Sequence, residues 1–245
     1  SVLIAIGSHR FLITAAHVLD GARGNPVYIG LQRGYIEISG VGKNTAASHG
    51  NRNDDRVDVA FISLDTVFAD AAAENYAFLP IQFVDVQDNG ADGTPYVVNG
   101  CPSKKVKREG RTFYPSTYEL KITGRTHDDY DGFGISPFTH IAMEFDRSKM
   151  TDGHGRRVHS PKLSGVSGGP VWKFIQTKTA DGQAAFTRRL VGITIEHYES
   201  RRTLVGTRIA AALAMIRTGF PDIAHIIPES PTLDIRCRDS NETVQ

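Results

Sequence analysis

A serine sits among three glycines and a proline in GVSGGP, residues 165–170. The spacing Gly165-x-Ser167-x-Gly169 suits a serine raised on a sharp turn, because glycine accepts backbone conformations and close approaches that a Cβ would forbid. A serine hydroxyl attacks a carbonyl once a base takes its proton, and the usual base is an imidazole held by a carboxylate. Both occur upstream. In FLITAAHVLD, His17 follows an apolar strand-like run and lies in a turn of small residues that can bring an imidazole close to a second structural unit. In RVDVAFISLD, Asp58 heads a strand between Val57 and Val59, where a partly buried carboxylate needs a hydrogen-bonding partner. An imidazole N–H is such a partner.

The order of these residues discriminates between two hydrolase architectures that share the serine pattern. In the α/β-hydrolase version a helix follows the serine directly, and the acid and histidine come later in the chain. Here Gly168, Gly169 and Pro170 would break that helix, and residues 171–175 read as a strand. Histidine and aspartate ahead of the serine fit the other architecture.

Elements able to position three such residues need a sizeable core. With 245 residues, 40% hydrophobic and 22% charged, the chain can bury one. Its apolar runs are short, β-branched or aromatic, and separated by Gly, Pro, Asn or Asp; they fall at 2–6, 11–13, 27–31, 59–64, 96–98, 118–122, 141–145, 170–174, 190–195 and 204–209. This pattern predicts an all-β sandwich or barrel. Helical periodicity is clear over 210–217, where Gly219 and Pro221 stop it, and weaker over 70–75. Residues 79–95 read as a linker between two halves, and those from about 228 as an extended tail.

Lys and Arg total 28 against 27 for Asp and Glu, a net charge of +1, so no bulk field selects nucleic acid or a membrane surface. The basic clusters at Lys104, Lys105, Lys107 and Arg108, at Arg188 and Arg189, and at Arg201 and Arg202 are short and read as solvated faces. Two cysteines, Cys101 and Cys237, make no disulfide framework; one bridge is open to them, and free thiols are the expectation. No apolar run approaches the roughly 20 residues of a membrane helix, and no charged leader precedes a short apolar segment. These features favour the cytoplasm, although a start at Ser1 and not Met leaves room for a removed leader or domain.

The segments TAAH (14–17), DVA (58–60) and GVSGGP (165–170) together resemble the three signatures of the chymotrypsin/trypsin-like serine protease family, in that family's order of His, Asp and Ser. VVNGCP (97–102) is similar to the first strand of the family's second barrel, and LVGITIEH (190–197) to the strand that pairs with substrate backbone. The matched pieces run from residue 2 to about 217.

The resemblance implies two six-stranded antiparallel β-barrels with a short C-terminal helix: a first barrel over 1–78, a linker over 79–95, a second barrel and helix over 96–227, and a tail over 228–245. It implies an endopeptidase that needs no cofactor, in which Ser167 attacks the carbonyl of a polypeptide substrate. His17 would take and return the proton, and Asp58 would orient the imidazole. The N–H groups of Gly165 and Ser167 would bind the oxyanion. By the same resemblance the specificity pocket is lined by Pro161, Ser164, Ile195, Glu196, His197, Leu204 and Gly206. No acid lies near Pro161, so a small or apolar residue is expected before the scissile bond.

Two departures bear on regulation. Val166 replaces the aspartate that, in secreted digestive members, binds the N-terminus freed by zymogen cleavage, and Val18 replaces a disulfide cysteine. Both make the chain more similar to bacterial and HtrA-like peptidases, though no PDZ-like segment follows. Asp54 and Asp55 stand close enough in sequence to substitute for Asp58. A latent or non-catalytic peptide-binding module on the same fold is the competing reading, with an activating partner or fused domain as its companion. HDDYD (127–131), His154 and His159 lack a convincing metal-ligand set and read as solvated loops.

Overall fold

The computed structural model describes residues 1–22, 24–31, 34–45, 52–88, 93–103, 107–109, 112–114, 117–126, 129–152, 154–158, 160, 162–178, 181–230 and 237–239. The first unit contains β1 (Val2–Ile6), β2 (His9–Ala15), β3 (Tyr28–Leu31), β4 (Gly34–Glu37), β5 (Gly40–Thr45), β6 (Val59–Leu64) and β7 (Leu79–Pro80), with helices α1 (Ala16–Ala22) and α2 (Thr66–Ala73). The second contains β8 (Pro95–Gly100), β9 (Lys107–Glu109), β10 (Thr112–Tyr114), β11 (Tyr118–Gly124), β12 (His140–Glu144), β13 (Pro170–Lys178), β14 (Ala184–Tyr198) and β15 (Thr203–Arg208), then α3 (Ile209–Gly219); β16 (Cys237–Asp239) comes last.

Strand β1, VLIAI, alternates buried with half-buried positions, the period-2 signature of a sheet with one face on a core. It turns through Gly7, at φ +57°, into β2, which pairs with it from Ile6↔His9 to Val2↔Ile13. The first sheet runs β16-β5-β6-β2-β1-β7. The tail therefore returns to the first unit: Cys237 pairs with Thr45 and Asp239 with Lys43. In the second unit, β11-β12-β15-β14-β13-β8 form a closed barrel. Closure leaves the barrel without a free edge strand, although β11 and β12 pair only at Thr123↔Glu144 and Gly124↔Met143.

The two units share a core. Ile4, Ile6, Phe11, Ile13 and Phe61 from the first pack with Leu190 and Ile193 from the second and with Ala211, Leu213 and Ile216 of α3. Each fully buried Ile or Phe contributes on the order of 1.5–3 kcal/mol, so this cluster sets the placement of the units. Helix α3, IAAALAMIRTG, is built from strong helix formers, places Arg217 in its last turn and stops before Pro221. Barrel closure buries a separate core of Val98, Ile141, Met143, Val171, Val191 and Leu204, with Val166 among them.

The linker is pinned as well. Asp88 is buried and accepts hydrogen bonds from Arg208 Nη1 (3.0 Å), Lys173 Nζ (2.7 Å) and the Tyr96 hydroxyl (2.9 Å). Helix α1 and strands β4, β5, β7, β9, β10 and β16 have no counterpart among the runs that the sequence predicts. Strand β5 is rich in Gly, Lys and Asn, which hides its alternation, β4 has only four residues, β7, β9, β10 and β16 have two or three each, and α1 is a seven-residue helix too short for periodicity to show.

Candidate active site

His17 is the second residue of α1, directly after β2, whose residues 11–15 are all buried. Asp58 directly precedes β6, and the pairing Ala15↔Val59 sets residue 58 opposite residues 16 and 17. Asp58 then accepts three hydrogen bonds from that two-residue segment. Ala16 N–H donates to the Asp58 carbonyl at 3.1 Å, His17 N–H to Oδ1 at 2.8 Å, and His17 Nδ1 to Oδ2 at 2.5 Å. Asp58 does so in the left-handed region, at φ 46°. Such a conformation costs about 1–3 kcal/mol, least for Asp and Asn, and the bonds to residues 16 and 17 hold it.

With the carboxylate as acceptor, Nδ1 carries the proton and Nε2 keeps its lone pair for an incoming hydroxyl. The side chain of His17 is 40% exposed and that of Asp58 only 12%, so the base is reachable and the acid shielded. The hydrogen bond that His17 donates to Asp58 raises the His17 pKa above its usual 6.5, against the opposing effect of burial.

Of the three aspartates at 54, 55 and 58, the one that bonds His17 is Asp58. Asp54 is exposed in a 3-10 turn. Asp55 is buried: its Oδ1 accepts the N–H groups of Val57 and Asp58, both at 3.2 Å, and its Oδ2 accepts from Thr45 Oγ1 at 2.6 Å and from Arg52. It shapes the loop that presents Asp58. The sequence reading assigned no such role to Asp55, Thr45 or Arg52, although an Asp two and three residues ahead of the N–H groups it caps is a recognisable turn pattern.

Ser167 lies on the turn before β13. Thr194 holds that turn in place: its carbonyl accepts Gly168 N–H (2.7 Å), its N–H donates to the Gly169 carbonyl (2.8 Å), and its Oγ1 donates to the Val166 carbonyl (2.7 Å). Val166 N–H and Gly169 N–H are also bonded internally. The N–H groups of Gly165 and Ser167 have no acceptor among the described residues. Two free donors two residues apart can stabilise an anion that develops on a bound carbonyl oxygen. Gly165 has φ +90° and Gly168 φ +80°, both open to glycine and strained for other residues. A Cβ on Gly168 would lie 2.2 Å from Thr14 Oγ1 and 3.3 Å from Ala15 N, so the serine turn abuts the strand that leads into His17. The Ser167 hydroxyl donates to the Ile195 carbonyl at 3.3 Å, an acceptor freed by the register shift between Thr194 and Glu196.

A cleft of about 430 Å³ beside His17 is lined by Arg52, Arg56, Ile135, Ile195, Glu196 and Tyr198, among others. The Tyr198 hydroxyl, pushed up to about 12 by burial, bonds Glu196 and Arg56. Ile195 and Glu196 of the expected specificity residues thus border this cleft. His197 turns to Phe145, ring centroids 5.2 Å apart, and burial lowers its pKa. Leu204 is buried in the barrel core, and a Cβ on Gly206 would lie 2.8 Å from the Ile193 carbonyl. Ser164 is exposed beside the free N–H groups, and Pro161 lies outside the described residues. His127, Asp128 and His159 lie outside them too; among the described residues no group of three or more His, Cys, Asp or Glu is placed to hold a metal ion. Cys101 is a free thiol.

No family model matches the sequence, and no curated protein does. Among solved structures, neuropsin, a serine protease expressed in the limbic system of mouse brain, superposes with a TM-score of 0.52 at 15% identity, over 89% of this chain and 87% of its own. The fold is the trypsin-like double β-barrel. A mutant of human heparin-binding protein aligns over 94% of this chain and 88% of its own, at 14% identity and a TM-score of 0.49. His17 and Asp58 come from the first unit and Ser167 from the second, on a turn that abuts Thr14 and Ala15 ahead of His17. No helix among the described residues is long and apolar enough to cross a membrane.

Proposed function

We propose that this chain is a serine endopeptidase acting through an acyl-enzyme on Ser167, with His17 as general base and then general acid. Asp58 orients the imidazole and stabilises its protonated form, and Gly165 and Ser167 N–H groups bind the oxyanion. The observation that carries this reading is the paired grip of Asp58 on His17, through the backbone N–H at 2.8 Å and through Nδ1 at 2.5 Å. A purely structural aspartate has no need to fix the tautomer of a solvent-accessible imidazole. Val166 and Val18 support, within this reading, a nearer likeness to bacterial and HtrA-like peptidases than to secreted digestive ones. A small or apolar residue before the scissile bond is the preference we assign, and strong selection of Arg or Lys from a peptide library would contradict it.

A latent module that holds peptide without cutting it is favoured by one observation, the Ser167 hydroxyl resting on the Ile195 carbonyl. A fluorophosphonate probe separates the two readings. The parent chain is expected to label, and Ser167→Ala and His17→Ala to lose labelling; a folded parent that resists the probe removes the enzyme reading.

A further inference from the structure

The peptide between Ser164 and Gly165 has two available orientations, and only one exposes the Gly165 N–H. In a planar trans peptide the C=O and N–H bonds point in opposite directions, so whatever holds the Ser164 carbonyl also aims the next N–H. Ser103, just beyond β8, holds it twice: its N–H donates to the Ser164 carbonyl at 2.8 Å and its Oγ at 3.2 Å. The Gly165 N–H therefore points away from Ser103 and is left unbonded among the described residues. Were the peptide flipped, the Ser164 carbonyl could accept the Ser167 N–H in an ordinary i→i+3 turn, and both oxyanion donors would be lost together.

We propose that Ser103 is a positioning residue that keeps the oxyanion hole open in the free chain; the proposal rests on the endopeptidase reading for its catalytic consequence. The surroundings support the assignment. The segment that carries Ser103 packs against the serine turn at every step: a Cβ on Gly169 would lie 2.2 Å from the Asn99 carbonyl, one on Gly100 would lie 2.5 Å from Val166 Cγ1, and one on Gly165 would lie 2.9 Å from Ser103 N. Residues 99–103 thus form a rigid backing for the turn, and Ser103 is the member of it that bonds the movable peptide. Gly165 at φ +90° supplies the freedom to flip; Ser103 opposes it.

Two variants and two kinds of readout test this. Ser103→Pro removes the N–H and the hydroxyl, and Ser103→Ala removes the hydroxyl alone. For Ser103→Pro, kcat is expected to fall by about a hundredfold, as for loss of one oxyanion donor. The inhibition constant of a peptide boronic acid, whose adduct places an oxygen in the hole, should rise by a similar factor while KM stays within about twofold; Ser103→Ala should show the same split at a few-fold. Equal losses in KM and in boronic-acid affinity, or unchanged kcat in Ser103→Ala should the proline variant fail to fold, would overturn the proposal. Crystal structures of parent and variant read the peptide directly and do not depend on activity. A Ser164 carbonyl turned onto the Ser167 N–H in the variant supports the proposal, an unmoved one sinks it, and a parent that fails to label with fluorophosphonate marks failure of the endopeptidase reading alone.

Discussion

His140, on β12 of the closed barrel, donates through Nε2 to the carbonyl of Arg56 at 2.6 Å, two residues before Asp58 in the other unit. Thr207 on β15 donates through Oγ1 to the next carbonyl, that of Val57. The loop that presents the carboxylate is therefore anchored by the barrel that carries the serine, and the distance from Asp58 to its partners is set by both units at once. His140 is buried, and its Nδ1 faces the Thr139 hydroxyl at 2.7 Å and the Ser136 carbonyl at 3.3 Å.

Burial lowers the His140 pKa below its usual 6.5, against the raising effect of its backbone bonds. The unfolded chain then takes up the proton first on acidification, so the stability tied to neutral His140 is present above about pH 6.5 and is lost as the pH falls below it. His140→Gln, which keeps an N–H donor and cannot titrate, should cost about 1–2 kcal/mol at neutral pH and should lose this part of the acid sensitivity. Urea midpoints of parent and variant at pH 7.5 and 5.5 measure it; an identical pH dependence for the two would refute the assignment.

The opposite sign holds at His17. Its pKa is raised by the Asp58 hydrogen bond, so it stays protonated, and useless as a base, to a higher pH than a free imidazole. The acidic limb of kcat/KM should lie above 6.5, and stability contributed by the His17–Asp58 pair should be present below 6.5 and fade as the pH rises through the raised value. Asp58→Asn should move the limb down and reduce kcat by about 10⁴-fold, because the amide favours the wrong tautomer. A pH–rate profile whose limb does not move would count against a coupled pair.

Gly168→Ala combines φ +80° with a Cβ 2.2 Å from Thr14 Oγ1. Backbone strain alone costs about 1–3 kcal/mol, and the contact pushes the serine turn away from the strand that leads into His17. Thermal unfolding should occur several degrees lower, and the residual folded protein should label slowly with fluorophosphonate. A variant with parental melting and labelling would show that the turn can relax.

Val166→Asp recreates the acid of the zymogen-activated enzymes. Here the side chain at 166 is 3% exposed and packs into the barrel core against Gly100, so a carboxylate would be buried without a partner. We expect a loss of at least about 2 kcal/mol, read from chemical denaturation; unchanged stability would reveal a hidden partner for the charge.

What was legible in the sequence and what was not follow from range. The strand at 2–6 announces itself because a half-buried strand alternates every second residue, those at 59–64 and 141–145 because a strand buried on both faces is a short apolar run, and GVSGGP announces a turn because only glycine tolerates φ +90° and +80° there. Three chemical groups in family order were enough to propose the roles of His17, Asp58 and Ser167. Less could be read of the residues that support them. Asp55 looked like an alternative to Asp58, and only the fold turns its carboxylate inward onto Thr45, Arg52 and two backbone N–H groups.

The sequence by itself determined local conformation: where the chain must extend, where it must turn, and which side chains are capable of acid–base and nucleophilic chemistry. Tertiary structure decided everything that depends on pairing across long separations. It brought β16 back to β5, set His140 and Thr207 against the loop of Asp58, placed Ser103 on the Ser164 carbonyl, and left the Gly165 and Ser167 N–H groups unbonded. The physical reason is that partners from 61 to 196 residues apart, Ser103 with Ser164 and Asp239 with Lys43, are selected by sheet register and core packing, and neither leaves a periodic mark on the residues concerned.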